Sequence, residues 1–267
     1  MKARVLSIAG SAAQGSAGIQ ADLKTFQERD VYGMAAITAI VANNSKTNKG
    51  IFIHDKQMVK AQYDAALEHV GVDAVKTGML FSAELIKEIA SWLKDCPAHA
   101  IVVDPVMIGK MGSQLLADNA IEMLKEKLIP LATIITPNLH EAARLLNKED
   151  AISSIEAMEQ AAKELHEMGA DYILIKGGAL KDQAVDVLYD GNSLTYFRKP
   201  RIDTIHTSGA GCTYSSAIAA ELAKGKSVEE AVGIAKDFVH AAIKHALSYG
   251  RGIGSTDHAA LRNYGLD

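Results

Sequence analysis

An α/β fold, with a mainly parallel central sheet flanked by helices on both faces and a small antiparallel edge hairpin, is what this sequence predicts on three observations. Short apolar runs rich in β-branched residues alternate with longer amphipathic stretches along the chain. The runs lack polar alternation, the mark of strands buried on both faces in a parallel sheet. Toward the C-terminal part, "AVDVLYDGNSLTYFRKP" forms two strand patterns around Asp190-Gly191-Asn192, a hairpin signal.

The elements follow in order. "RVLSIAG" is a strand that meets a glycine-rich loop, and Ile19, Leu23 and Phe26 then mark one face of a helix. The rhythm returns with "GMAAITAIVA", "DAVKTGM", "AIVVDPVM", "ATIITPN" and "DYILIKGG", with helical patterns over 115–129 and 154–168. In "HTSGAGCTYSSAIAAELAKG" small residues give way to a helix ending at Gly225, and Ser227 caps a further helix over 228–248. No linker or repeat interrupts the pattern. A chain of 267 residues that is 48% hydrophobic can bury one large core, so a single domain over 1–267 is expected.

Composition narrows the partners. The formal charge of -4 leaves no basic excess to neutralise a nucleic acid or an acidic membrane, so a small molecule is the expected partner. The apolar run at the N-terminus is too short for a signal h-region or a membrane span, which predicts a cytoplasmic protein. Cys96 and Cys212 lie in unrelated contexts and are expected as free thiols.

In an open α/β sheet, ligands bind where strands end and loops begin. Gly209, Ala210, Gly211 and Cys212 run straight into a helix, so backbone N–H groups and the helix dipole can hold an anion such as a phosphoryl group in transfer. Cys212 falls in the first turn, where it can accept a hydroxyl proton or donate to developing charge. The competing reading is a tightly packed helix start with a buried cysteine. Asp104 ends the run Ala100–Val103, a place for a magnesium ligand or an ordinary acid at a strand exit. Asn138 and Glu141 in "TPNLHEAARLL" fit a capping box as well as a phosphate and metal site. Lys176 ends "DYILI" ahead of Gly177-Gly178, where an ammonium can reach a phosphate, or can stand in solvent. The first loop, "GSAAQGSAG", can cradle a phosphate or serve as a plain βα turn.

Taken together and in order, "GSAAQGSAGIQADLKTF", "DAVKTGML", "IVVDPVM", "ITPNLHEA", "ILIKGG" and "GAGCT" resemble the hydroxymethylpyrimidine and phosphomethylpyrimidine kinases of thiamin biosynthesis. Close relatives of these are the bacterial pyridoxine and pyridoxal kinases. The resemblance runs from about Val5 to Lys244. It implies a ribokinase-like fold, a homodimer, and transfer of phosphate from ATP with Mg²⁺ to a vitamin precursor. It further implies an anion hole at Gly209, Ala210 and Gly211 with catalytic Cys212. Lys176, Asn138, Glu141, Gly178 and Lys236 match the nucleotide side, Asp104 and Glu141 the metal, and Asn43, Met79 and Val106 the vitamin ring. The segment 107–114, "MIGKMGSQ", is expected as a flap with hinges at Gly109 and Gly112 and a charge on Lys110.

The chain also departs from the family's pattern. Ala12 stands where an acid is usual, Ser16 where a glycine is usual, and Ser208 where a histidine is usual. The lid cysteine of dual-specificity relatives is absent from Ile108-Gly109-Lys110. The expected activity is therefore a hydroxymethylpyrimidine or phosphomethylpyrimidine kinase, with a pyridoxine or pyridoxal kinase as the alternative. A non-catalytic vitamin- or nucleotide-binding relative is a distant third.

Overall fold

The computed structural model describes residues 1–48, 50–107, 116–180 and 183–266. The chain divides into two compact units, one built from Met1–Leu80, Pro97–Ala100 and Asp203–Asp267, the other from Phe81–Cys96 and Ile101–Ile202.

The first unit opens with β1 (Arg4–Ala12), α1 (Ile19–Glu28), β2 (Tyr32–Val41), β3 (Ile51–Ile53), α2 (Lys56–His69) and β4 (Ala74–Thr77). Its strands lie in the order β3-β2-β1-β4. β1 runs parallel to both β2 and β4, and Val5, Leu6 and Ile8 are fully buried, as the unalternated run requires. Between Ala9 and Ser11 the register with β2 slips by one residue, so β2 carries an extra residue there. β3 adds antiparallel to β2 and was not foreseen. It is three residues long with Phe52 and Ile53 exposed, too short to show a period.

The second unit holds α3 (Ala83–Lys94), all but the first residue of β5 (Ala100–Val103), α4 (Asp118–Met123), β6 (Ile134–Ile135), α5 (Leu139–Leu145), α6 (Ile155–His166), β7 (Tyr172–Lys176), β8 (Ala184–Tyr189) and β9 (Leu194–Lys199). β5, β6 and β7 are parallel neighbours, while β7–β8 and β8–β9 are antiparallel. The expected hairpin is thus β8 and β9, with Asp190 Oδ1 accepting the N–H groups of Asn192 and Ser193 to close the turn. The helix anticipated over 115–129 breaks up: α4 gives way to a π turn at Leu124–Leu128 and a 3₁₀ turn at Ile129–Leu131. Pro130 has no N–H to continue an α-helical ladder.

The chain then completes the first unit with α7 (Ala210–Ala223), α8 (Val228–Lys244) and α9 (Ala260–Tyr264). α7 and α1 pack on each other and on β1. Ser227 caps α8 in a full capping box with Glu230. α8 stops at Lys244, short of the expected 248, because Leu247 pairs with Ser255 in both directions and draws the chain out of the helix.

Candidate active site

In the second unit, β5 and β6 run parallel with Val103 opposite Ile135, so Asp104 and Thr136 leave their strands side by side. Thr136 Oγ1 donates to Asp104 Oδ1 at 3.1 Å, and Lys176 Nζ, at the end of β7, donates to the same oxygen at 2.9 Å. Asp104 is buried and the lysine nearly so. Thr136 was not singled out from the sequence. Its place one residue beyond a strand that neighbours Asp104's own strand is the signal that identifies it.

Asn138 caps α5 by accepting the Glu141 N–H at 2.9 Å, and Glu141 Oε2 accepts the Asn138 N–H at 2.8 Å. The capping box is therefore real, but it does not exhaust Glu141. The same box at Ser227 leaves Glu230 exposed, with hydrogen bonds from Ser227 holding its carboxyl below the usual range. Glu141 is instead buried, and its carboxyl is pushed up to about 7, first by burial, against the pull of Lys176 and with a further push from Asp104. A cap needs no burial. A carboxyl kept dry beside a second carboxyl and an ammonium has the donor set for a hard cation that also binds phosphate oxygens. Among the described residues no group of three or more His, Cys, Asp or Glu could hold a metal ion, so a Mg²⁺ here would take part of its shell from water or phosphate oxygens.

The glycines after Lys176 differ from each other. A side chain on Gly177 would meet the Val185 carbonyl at 1.9 Å, whereas Gly178 faces open space and its carbonyl accepts from Arg201 at 3.1 Å. Val106 donates its N–H to the Asp104 carbonyl at 2.8 Å. Of the expected flap, 108–114 lies outside the described residues.

In the first unit, Gly209 caps α7 at φ 85°, and no side chain caps that end. A Cβ at Gly209 would come within 1.8 Å of the Ser16 carbonyl, so the first loop lies directly on the expected anion hole. Gly18 donates its N–H to Cys212 Sγ at 3.4 Å. The loop anticipated as a phosphate cradle therefore also walls the cysteine. Ala210 donates to the Thr207 carbonyl at 3.2 Å, so its share in an anion hole requires that long bond to open. Ser16 and Ser208, two of the departures from the family's pattern, are bonded to each other at 3.0 Å.

Segment 254–258 supports this end and escaped the sequence reading. Ser208 N–H donates to the Gly254 carbonyl and Thr256 N–H to the Ser208 carbonyl, both at 3.1 Å. His258 Nε2 lies 3.0 Å from Thr213 Oγ1, and burial brings its pKa down to about 4, so the ring is neutral at pH 7. The spaced glycines Gly250, Gly252 and Gly254 were the available signal; a Cβ on Gly254 would strike the Leu247 carbonyl at 1.9 Å. Asn43 is exposed, with its carbonyl 3.5 Å from Gln14 Nε2, and the Met79 carbonyl accepts from Thr38 at 2.7 Å. Lys236 is buried, its ammonium 5.9 Å from the Tyr214 ring centre.

The family model described as phosphomethylpyrimidine kinase matches residues 13–257. The chain belongs to that family. All of the site residues above that the resemblance assigned fall inside the match. The chain is 46% identical over 263 residues to the pyridoxine kinase of Bacillus subtilis, covering 97% of each chain. It is 42% identical over 266 residues to the hydroxymethylpyrimidine/phosphomethylpyrimidine kinase of the same organism, covering 99% of this chain and 97% of the relative. The structure of the pyridoxal kinase from Staphylococcus aureus in complex with AMP-PCP and pyridoxal superposes with a TM-score of 0.92 at 40% identity, covering 99% of this chain and 96% of that one. This member of the phosphomethylpyrimidine kinase family is a phosphotransferase with a ribokinase-like fold.

Proposed function

We propose that the chain is one kinase domain over 1–267 that moves the terminal phosphoryl group of ATP to the hydroxymethyl group of 4-amino-5-hydroxymethyl-2-methylpyrimidine, or to the phosphate of that compound's monophosphate. The observation that carries this is the buried Glu141 beside Asp104 and Lys176, an arrangement that a helix cap alone does not need. Lys176 neutralises phosphate oxygens, with Asn138, Gly178 and Lys236 on the nucleotide side. Asp104 and Glu141 would hold Mg²⁺, which would supply charge neutralisation to the phosphates. The N–H groups of Gly209, Ala210, Gly211 and Cys212 stabilise charge on the transferring group. Cys212 takes the proton from the attacking oxygen, a carbon-bound hydroxyl in the first case. Asn43, Met79 and Val106 line the ring. The working form is a homodimer in the cytoplasm.

A second reading, vitamin B6 kinase, is favoured by the 46% identity to a pyridoxine kinase. Ile108-Gly109-Lys110 offers no thiol to capture an aldehyde, which sets pyridoxal apart from pyridoxine. ADP release measured with hydroxymethylpyrimidine, its phosphate, pyridoxine and pyridoxal separates the readings. The first two are expected to turn over fastest; pyridoxine turnover at a higher kcat/KM than either pyrimidine would reverse the order.

A further inference from the structure

Two helices meet at the reacting cysteine, and a buried charge ties them together one turn deeper. At the outer end, the N–H of Gly18, which caps α1, donates to Cys212 Sγ at 3.4 Å. Four residues further along each helix, Asp22 of α1 accepts a 2.7 Å hydrogen bond from Ser216 of α7. Positions four apart lie on one helix face, so these contacts are successive rungs between the same faces of α1 and α7.

The lower rung is fixed to the strands beneath it. Ser7 of β1 donates to Asp22 Oδ2 at 2.6 Å, and Lys76 of β4 donates to both carboxylate oxygens, at 3.0 and 3.1 Å. Ser7, Asp22, Lys76 and Ser216 are all fully buried. Beyond Lys76 the chain passes Gly78, whose added Cβ would lie 3.0 Å from the lysine Nζ, and reaches Met79. The same cluster therefore underlies the turn that carries a ring-lining residue.

Desolvating two charges offsets most of what their attraction contributes, so a buried ion pair is a poor source of stability but can specify one register. We infer that Asp22, Lys76 and Ser216 are positioning residues that set the height and rotation of α7 against α1, and so hold Cys212 at its reacting geometry. The inference rests on the proposed assignment of Cys212 to the reaction.

Ser216→Ala removes one hydroxyl and leaves the ion pair. It is expected to lower kcat about tenfold, since a small misplacement of a reacting group is costly, with KM for ATP and vitamin nearly unchanged and the melting temperature lowered by several degrees but still well above the assay temperature. The iodoacetamide alkylation rate of Cys212, followed in a Cys96→Ala background, is expected to change with it. Asp22→Asn with Lys76→Met, which deletes both charges together, should behave alike if Ser216→Ala fails to fold. Unchanged kcat and alkylation rate in a folded variant would overturn the inference, as would a kcat loss matching the unfolded fraction. A Cys212→Ser enzyme with full activity would sink the proton-acceptor role, while a slow Ser216→Ala enzyme beside it would still support the ladder acting through the backbone donors.

Discussion

At the start of α7, where Gly209 through Cys212 bring their backbone to the surface, the only ionisable side chain in the stretch is a thiol. At the ends of β5 and β7 and in the first turn of α5, two carboxyls and an ammonium are packed with little solvent, and the backbone serves mainly to hold them. The first region is a shape made of small residues and tolerates no added Cβ where another segment's carbonyl already lies. The second is a balance of charges, in which the burial of two carboxyls is offset by Lys176, Thr136 and the Asn138 N–H. The two should therefore fail in different ways, by steric intrusion in one and by loss of charge in the other.

The sharpest way to break this contrast is at Cys212, the one residue of the backbone region whose side chain is assigned chemistry. Cys212→Ser is expected to lower turnover at saturating ATP by roughly two to four orders of magnitude, the range for loss of a positioned proton acceptor, with Cys212→Asp restoring part of it. A fully active serine variant would reduce that region to backbone alone.

Next in size is a paired test on glycines. Gly209→Ala places a Cβ 1.8 Å from the Ser16 carbonyl at a φ of 85°. It is expected to cost about a hundredfold or more in kcat through displacement of the proposed anion hole. Gly178→Ala meets no protein atom within 4 Å, so it is expected to leave stability almost unchanged and to show its effect in KM for ATP, on whose side Gly178 is proposed to lie, rather than in kcat. Equal effects of the two substitutions would mean that the steric account of the α7 end is wrong.

The smallest effect concerns Glu141 and stability. Its folded pKa of about 7 exceeds the ordinary value of 4.5, so the native state holds the proton more tightly than the unfolded chain. Stability associated with this group is present below the unfolded value and lost as pH rises toward the folded one. Glu141→Gln keeps a capping acceptor without the charge. Its unfolding free energy is expected to match wild type near pH 4 and to exceed it above pH 7, by an amount of order 3 kcal/mol at most, with the melting temperature moving in the same direction. The same variant should need more Mg²⁺ for half-maximal turnover. A capping role alone predicts neither the pH-dependent gain nor the shifted Mg²⁺ requirement.

Much of this was legible in the sequence wherever the cause was local. Ser227, Asp190-Gly191-Asn192 and the unalternated strand runs act within a few residues, and α8, the hairpin and the parallel strands followed from them. Asp104 and Lys176 were identifiable as residue types at strand ends and Glu141 as the acid of a capping box at a helix start, yet what brings the three together depends on register between strands, which no local pattern encodes. The Asp22–Lys76 pair was invisible for the same reason. "QADLK" looks like the wet face of a helix and "DAVKTG" like a strand lysine, and only α7 arriving from far along the chain turns both inward. The early end of α8 likewise depends on Ser255 meeting Leu247.

The first unit is assembled from both ends of the chain, with the contact between Ser16 and Ser208 spanning 192 positions. During synthesis at about 5–20 residues per second, α1 must wait roughly 10–40 s after its own emergence for α7 to be made. Through that interval Asp22 has no Ser216, and α1 lacks its packing partner α7. The nascent chain thus carries α1 without that partner for most of its elongation. No shorter ribosome-bound intermediate that stops before Ser216 can assemble the cysteine end of the site, so the chemistry becomes available late in translation.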